Sequence, residues 1–306
     1  MNTLESRNLR ILKTEYRLSL DVAIIGFLLK TIQIIAFYDK EAGLIKKTGF
    51  SNFLGFLVIL SFLFVVFLYI KVTLEVTPVV SKLKHKSNKI TGCSFFITGL
   101  LFFIQGISCI NRDIANYKKN IELMLTQYRI AKVNLSQKIA ELFPTFSDII
   151  CIMSAVCFII IGIIYFVDNK KTNFMYLLIP VSWGWISMIQ MLLSLSNQVS
   201  IVSSYEKIVF SVLTVLFLYY TTCYFCSYSK QEKQHLSVFV RISFVSFGLI
   251  SVLPYAIAYC FGKRDLLVNI PYLSYIGLMI LSIPISLNYF FHTTHFIMKK
   301  EHMNQQ

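Results

Sequence analysis

Apolar runs of about 20 residues recur along the whole chain, at about 18–38, 50–74, 90–110, 146–167, 174–198, 206–228, 236–261 and 270–297. A helix of that length crosses a hydrocarbon core about 30 Å thick, and in lipid a helix satisfies its backbone hydrogen bonds within itself. The spacing predicts an all-α fold: a polytopic transmembrane helical bundle of about eight spans, or seven if the first run lies on the membrane surface. No polar stretch is long enough for a soluble catalytic domain, so any chemistry must sit among the spans or on short loops.

The 306 residues are 56% hydrophobic and 14% charged, and 29 Lys and Arg against 15 acids give a net charge of +14. The basic residues cluster between apolar runs. That pattern fits anionic lipid headgroups and topology signals; no basic face interleaved with aromatics points to nucleic acid. Seven cysteines, mostly inside apolar runs, read as small buried hydrophobes and not as a disulfide framework.

Residues 1–17 place Arg7, Arg10, Lys13 and Arg17 beside Leu4, Leu9, Ile11, Leu12 and Tyr16, a basic amphipathic segment suited to a cytoplasmic membrane surface. It is not read as a cleaved signal, because Lys30 interrupts the apolar core and no small-x-small site follows. The first run carries Asp21, Lys30 and Gln33, which together do not share one helical face. It is therefore a poor interfacial helix and a tolerable span. Eight spans put about 15 Lys and Arg on the N-terminal side and about 12 opposite, a balance that does not fix orientation. Leaving this run outside the membrane wastes burial worth several kcal/mol at about 25 cal/mol per Å², so eight spans with both termini cytoplasmic are expected.

Residues 111–143 are the one long polar stretch, with three apolar runs before it and five after. They divide the chain into a three-span part at 18–110 and a five-span bundle at 144–306. Ile114, Tyr117, Ile121, Met124, Tyr128, Ala131, Leu135 and Leu142 recur at nearly seven residues, which predicts one amphipathic helix with a greasy seam, about 45–50 Å long and stopped by Pro144. Two readings stay open. The helix packs on the protein's own N-terminal helix or on headgroups, or its seam forms a homodimer or grips a membrane protein partner. With eight spans it is extracytoplasmic.

Pro180, Pro254 and Pro284 should each kink a later span and free a carbonyl for Ser182, Ser251, Ser282 or Ser286. The fifth run holds Trp183, Gln190 and, seven residues on, Asn197. Positions seven apart share a helical face, so the three form a stripe able to line a ligand cavity or to pack helices.

Lys30 is read as the one cation well inside an apolar run, costly there unless it snorkels or finds a partner, and Asp148 is its best acidic candidate. Thr145 with Asp148, and Ser203 with Glu206, also have capping-box spacing. Cys223 and Cys226 form a CxxC pair near a helix C-terminus, where the dipole disfavours a thiolate. His292 and His295, with His302 nearby, lack a further ligand, so no metal site is expected. No paired aspartate, HExxH or GxSxG motif appears, and no histidine lies deep in a span. Asn134-Leu135-Ser136 is a glycosylation sequon. The sequence thus points to a multi-pass protein of the cell membrane without catalytic residues or cofactors, sensing a small ligand or scaffolding a partner. The alternatives are a secondary transporter or permease-like carrier and, more remotely, a membrane thiol oxidoreductase.

Overall fold

The computed structural model describes residues 2–39, 44–45, 48–75, 89–127, 135–167, 174–195, 201–225, 234–260 and 272–286. They form helices α1 (Asn2–Phe37), α2 (Gly49–Glu75), α3 (Lys89–Gln127), α4 (Leu135–Val167), α5 (Leu178–Leu195), α6 (Ile201–Phe225), α7 (Gln234–Ser251), α8 (Leu253–Cys260) and α9 (Tyr272–Ser286). Between α1 and α2, Tyr38–Asp39 pairs antiparallel with Leu44–Ile45. Seven helical stretches are long and apolar enough to cross a membrane: Arg17–Phe37, Gly49–Leu68, Lys89–Ala115, Phe146–Val167, Met175–Leu192, Ile208–Phe225 and Val240–Ala258. The shorter apolar α9 packs among them. The protein is an all-α polytopic membrane protein.

Its surface is that of a membrane protein turned toward lipid. Ile25, Leu28 and Ile32 of α1, and Phe53, Phe56, Leu63 and Phe67 of α2, are half or more exposed. In water such apolar belts would be unfavourable; in hydrocarbon they are the matching surface. The span Val240–Ala258 is 78% buried inside the protein, which makes it the central helix, with α1, α2 and α6 packed around it.

The first run turns its polar side chains inward. Glu15, Ser19, Ala23, Gly26, Lys30 and Gln33 are all buried and recur every three or four residues, so they form one inward stripe, while Asp21 is exposed. Each polar member has protein around it. Ser19 shares a hydrogen bond with Ser246 at 3.0 Å, Gln33 Nε2 donates to the Ser51 carbonyl at 2.9 Å, and Lys71 Nζ pairs with Glu15 Oε1 at 2.6 Å. The run is long and apolar enough to cross a membrane and has a polar inner face, continuous with the basic N-terminal segment.

Helices α3 and α4 form the closest pair. A Cβ added at Gly99 would lie 2.6 Å from Ile159 Cγ1 and 2.9 Å from the Ala155 carbonyl; one at Gly92 would lie 2.8 Å from Tyr165 Cβ; one at Gly106 would lie 2.6 Å from Ile152 Cγ1. From the other side, a Cβ at Gly162 would meet the Phe96 nitrogen at 2.9 Å. Gly92, Gly99 and Gly106 are seven apart, as are Gly162 and Ala155, so a row of small residues lets two antiparallel backbones approach each other.

That antiparallel pairing changes the reading of the polar segment. Residues 111–127 and 135–143 are helical, but the first stretch belongs to α3 and the second to α4, so the chain reverses between them instead of running as one rod. Pro144 ends nothing. It lies inside α4, which begins at Leu135, and therefore Thr145 and Asp148 are not at a helix cap. Ser203 likewise lies within α6, which already starts at Ile201.

The prolines also behave differently from one another. Pro180 sits in the first turn of α5, behind a 3-10 turn at Phe174–Leu177, where a missing N–H costs little. Ser182 there donates to the Ile179 carbonyl at 2.7 Å. Pro254 interrupts its span by one residue: α7 ends at Ser251 and α8 resumes at Leu253, while the Val252 N–H still donates to the Gly248 carbonyl at 2.9 Å and the Ala256 N–H to the Val252 carbonyl at 3.1 Å. Ser282 donates to the Arg241 carbonyl at 3.2 Å, bridging α9 to α7 rather than answering Pro284.

A chain of rings fills the core. Phe95 and Phe102 of α3 meet Phe158 of α4; Phe102 stands edge-on to Trp183 at 4.7 Å; Trp183 lies 6.0 Å from Tyr275 of α9; Tyr275 stands edge-on to Phe210, which stacks on Phe244 at 5.1 Å. Each such pair adds about 0.5–1.5 kcal/mol beyond the area it covers.

Candidate functional site

Where α3 and α4 leave the apolar layer, the small-residue rows end in acids. Asp113 follows Gly106 by seven residues on α3, and Asp148 precedes Ala155 by seven on α4. The register sets Asp148 opposite Gly106, where an added Cβ would lie 3.5 Å from the Asp148 carbonyl, and Asp113 and Arg112, further along α3, are the charged groups beside it. Asp148 is 8% exposed, and the Oδ2 atoms of both residues are buried without a hydrogen-bond partner. Arg112 Nε stands 3.6 Å from Asp113 Oδ1, with its side chain 40% exposed.

A polar belt below the acids ties α3, α4 and α9 together. Gln105 Nε2 donates to Cys109 Sγ at 3.1 Å, and Gln105 Oε1 accepts from the Leu273 N–H at 3.3 Å. Leu273 is in the first turn of α9, so a side chain of α3 takes up one of the backbone donors that a helix start leaves over. Cys151 Sγ donates to the Phe102 carbonyl at 3.5 Å and lies 3.6 Å from Ser274 Oγ. Thr98 of α3 donates to the Gly277 carbonyl at 2.7 Å, deeper in the same seam.

The residues singled out in the sequence are distributed over several places. Trp183 is 1% exposed and forms part of the aromatic core, whereas Trp185 is half exposed on the opposite side of α5. Gln190 is half-buried one helical face along from Trp183, and Asn197 lies outside the described residues. Lys30 is buried on α1 with its Nζ 5.9 Å from the centroid of the Tyr255 ring, while the charged groups around Asp148 are Asp113 and Arg112. Of the seam residues, Ile114 is half exposed on α3; Tyr117, Ile121 and Met124 lie on its helical continuation; Leu135 opens α4; Tyr128 and Ala131 lie outside the described residues. Cys223 is half-buried near the end of α6 and Cys226 lies outside the described residues, as do His292, His295, His302 and Asn134. Among the described residues, no group of three or more His, Cys, Asp or Glu is placed to hold a metal ion.

Two groups escaped the sequence reading. The acid pair needed the seven-residue spacing of small residues on both helices to be noticed, since apolar periodicity alone passes over glycine. Arg241 is the second: a cation inside an apolar run, besides Lys30, fully buried with its guanidinium 4.7 Å above the Tyr224 ring. An aromatic face offers a desolvated cation about 2 kcal/mol. No protein-family model matches the chain, and neither a curated protein nor a solved structure shows significant similarity to it.

Proposed function

We propose a non-enzymatic protein of the cell membrane that senses a small ligand or scaffolds a membrane partner through the polar extensions of α3 and α4. The observation that supports this reading is the continuation of both helices beyond the apolar layer at one end of the bundle. Helix α3 runs on over 116–127 past its span, about 18 Å, and α4 runs over 135–145 before its span starts at Phe146. These extensions carry the seam Tyr117, Ile121 and Met124 beside Lys118, Lys119 and Glu122, an apolar stripe with charged flanks suited to another helix.

Replacing Ile121 and Tyr128 by Ser tests the reading. The wild type is expected to be dimeric in detergent by light scattering, and the double variant monomeric with unchanged expression. A wild type that stays monomeric across the concentration range removes the homodimer.

A secondary carrier is the second reading, favoured by the irregular turn at Val252 beside Pro254. Irregular turns within spans are where carriers often place polar groups, and the Oγ of buried Ser251 lies at this one without a hydrogen-bond partner. Trp183, Gln190 and Asn197 are then the proposed ligand stripe. A carrier exposes Gln190 to each side of the membrane in turn; a sensor or scaffold exposes it to one side or neither.

A further inference from the structure

The inward stripe of α1 is polar at both ends and apolar in the middle. At one end Lys71 of α2 pairs with Glu15, and Ser19 shares its hydrogen bond with Ser246 of α7. At the other, Lys30 lies over the Tyr255 ring of α8, and Gln33 donates to the Ser51 carbonyl of α2. Between them sits a plug of Ala23, Val58 and Ile250, one residue from each of α1, α2 and α7, with Leu29 and Leu249 packed against it. Gly26 belongs to the same plug: an added Cβ would lie 3.1 Å from Ile250 Cδ1 and from Ser61 Cβ. Ser61 turns its Oγ back to the Leu57 carbonyl of its own helix at 2.8 Å.

From Glu15 to Gln33 the stripe runs about 27 Å along α1, most of the thickness of a hydrocarbon core. Helix packing alone does not require what stands on the two sides of the plug. Among the described residues, Glu15 Oε2 on one side, and Gln33 Oε1 and Ser251 Oγ on the other, are buried with no hydrogen-bond partner. All three side chains belong to residues more than nine-tenths buried. Ser251 follows Ile250 directly and precedes Tyr255 by one turn, which sets it at the Lys30 end. Buried polar atoms of this kind are unfavourable in a dry seam and are satisfied when water or an ion enters it.

We propose that the seam between α1, α2 and α7 is a permeation path for a small anion such as chloride, closed in this structure by the plug of Ala23, Val58 and Ile250. An apolar constriction between two polar stretches stops ions by excluding water, and it conducts once it is widened or wetted. The sign follows from Lys30. Among the described residues of Arg17–Phe37 and Gly49–Leu68 it is the one buried charge, since Arg17 and Asp21 are exposed, and a cation lining a pore favours anions. Arg241 of α7 faces α6 instead, over the Tyr224 ring. The path uses neither the extensions of α3 and α4 nor the α5 stripe, so its failure leaves those readings untouched.

The test is chloride flux into phosphatidylcholine vesicles that hold the purified full chain and a chloride-quenched dye. Ile250→Asn puts an amide into the plug and is expected to raise the flux about tenfold or more, as about 1.4 kcal/mol off the crossing barrier does. Adding Lys30→Gln to that variant should bring the flux back toward wild type, which a leak through misfolded protein or disturbed lipid would not show. Val58→Thr keeps the shape of the side chain and should raise the flux in the same way, so the outcome does not depend on the folding of one variant. No increase in either plug variant overturns the proposal. An increase that Lys30→Gln leaves in place, or one carried equally by potassium, overturns it as well.

Discussion

Gly99→Leu is expected to abolish the folded protein. Even a methyl group at this position meets Ile159 Cγ1 at 2.6 Å and the Ala155 carbonyl at 2.9 Å, and the second of these is backbone that cannot swing aside. Gly99→Ala should cost about 1–3 kcal/mol, the usual cost of overpacking a well-filled interior. Leucine adds three further carbons on the same line and must part α3 from α4 along their whole contact. That separation also withdraws Phe102 from Phe158 and Thr98 from the Gly277 carbonyl, so the damage spreads to α9. The measurement is the fraction of monodisperse protein after detergent extraction, with the alanine variant's unfolding midpoint alongside. A leucine variant as stable as wild type would mean that the two helices do not meet at this glycine.

Trp183→Ala carries the second large effect. The indole is 1% exposed and links Phe102 of α3 to Tyr275 of α9, so its removal leaves a cavity where three helices meet. Truncating a buried Trp costs about 3–5 kcal/mol. Gln190→Leu, one face-length along the same helix, should cost about 1 kcal/mol or less, the size of an average hydrogen bond between membrane helices. The pair of variants separates packing from ligand binding. If α5 lines a binding site, Gln190→Leu removes transport or signalling while the unfolding midpoint stays near wild type; full activity in that variant excludes Gln190 from any site.

How far the sequence carried the fold can be judged at particular residues. Seven of the eight expected spans coincide with helices long and apolar enough to cross a bilayer, and the expected eighth is described only over the shorter α9, because length and hydropathy are what such crossing demands. The first run was ambiguous since Lys30 and Gln33 look like defects in an apolar helix. They become assets once Ser19, Ala23 and Gly26 are seen to extend the same stripe toward α2 and α7. The polar segment at 111–143 read as one rod because its apolar repeat continues across the middle. Nothing in a repeat of Ile, Tyr, Met and Leu marks where a chain turns back, whereas the rows of small residues flanking it do require the turn.

The acid pair was illegible for a related reason. Asp148 was visible only as a cap or as a counter-ion for Lys30, roles suggested by neighbours in sequence. Asp113, whose charge bears on it, is 35 residues away in sequence and is brought near by the packing of α3 on α4. Arg241 was passed over because it sits near the start of an apolar run, where a long side chain ordinarily reaches water; instead α7 is the central helix, and the guanidinium lies over Tyr224 in the interior. In both cases the missing information was the rotational setting of one helix against another, which hydropathy does not encode.

The account rests on α1 crossing the membrane and on α3 and α4 forming an antiparallel pair after it. Labelling with a membrane-impermeant thiol reagent tests this directly, using Thr3→Cys and Lys132→Cys in a background from which the native cysteines have been removed. Three crossings, by α1, α2 and α3, separate the two positions. With both termini cytoplasmic, the cysteine at 132 is expected to react in intact cells and the one at 3 only after permeabilisation. Reaction of both positions from the same side would contradict the crossing of α1, and with it the arrangement of the bundle.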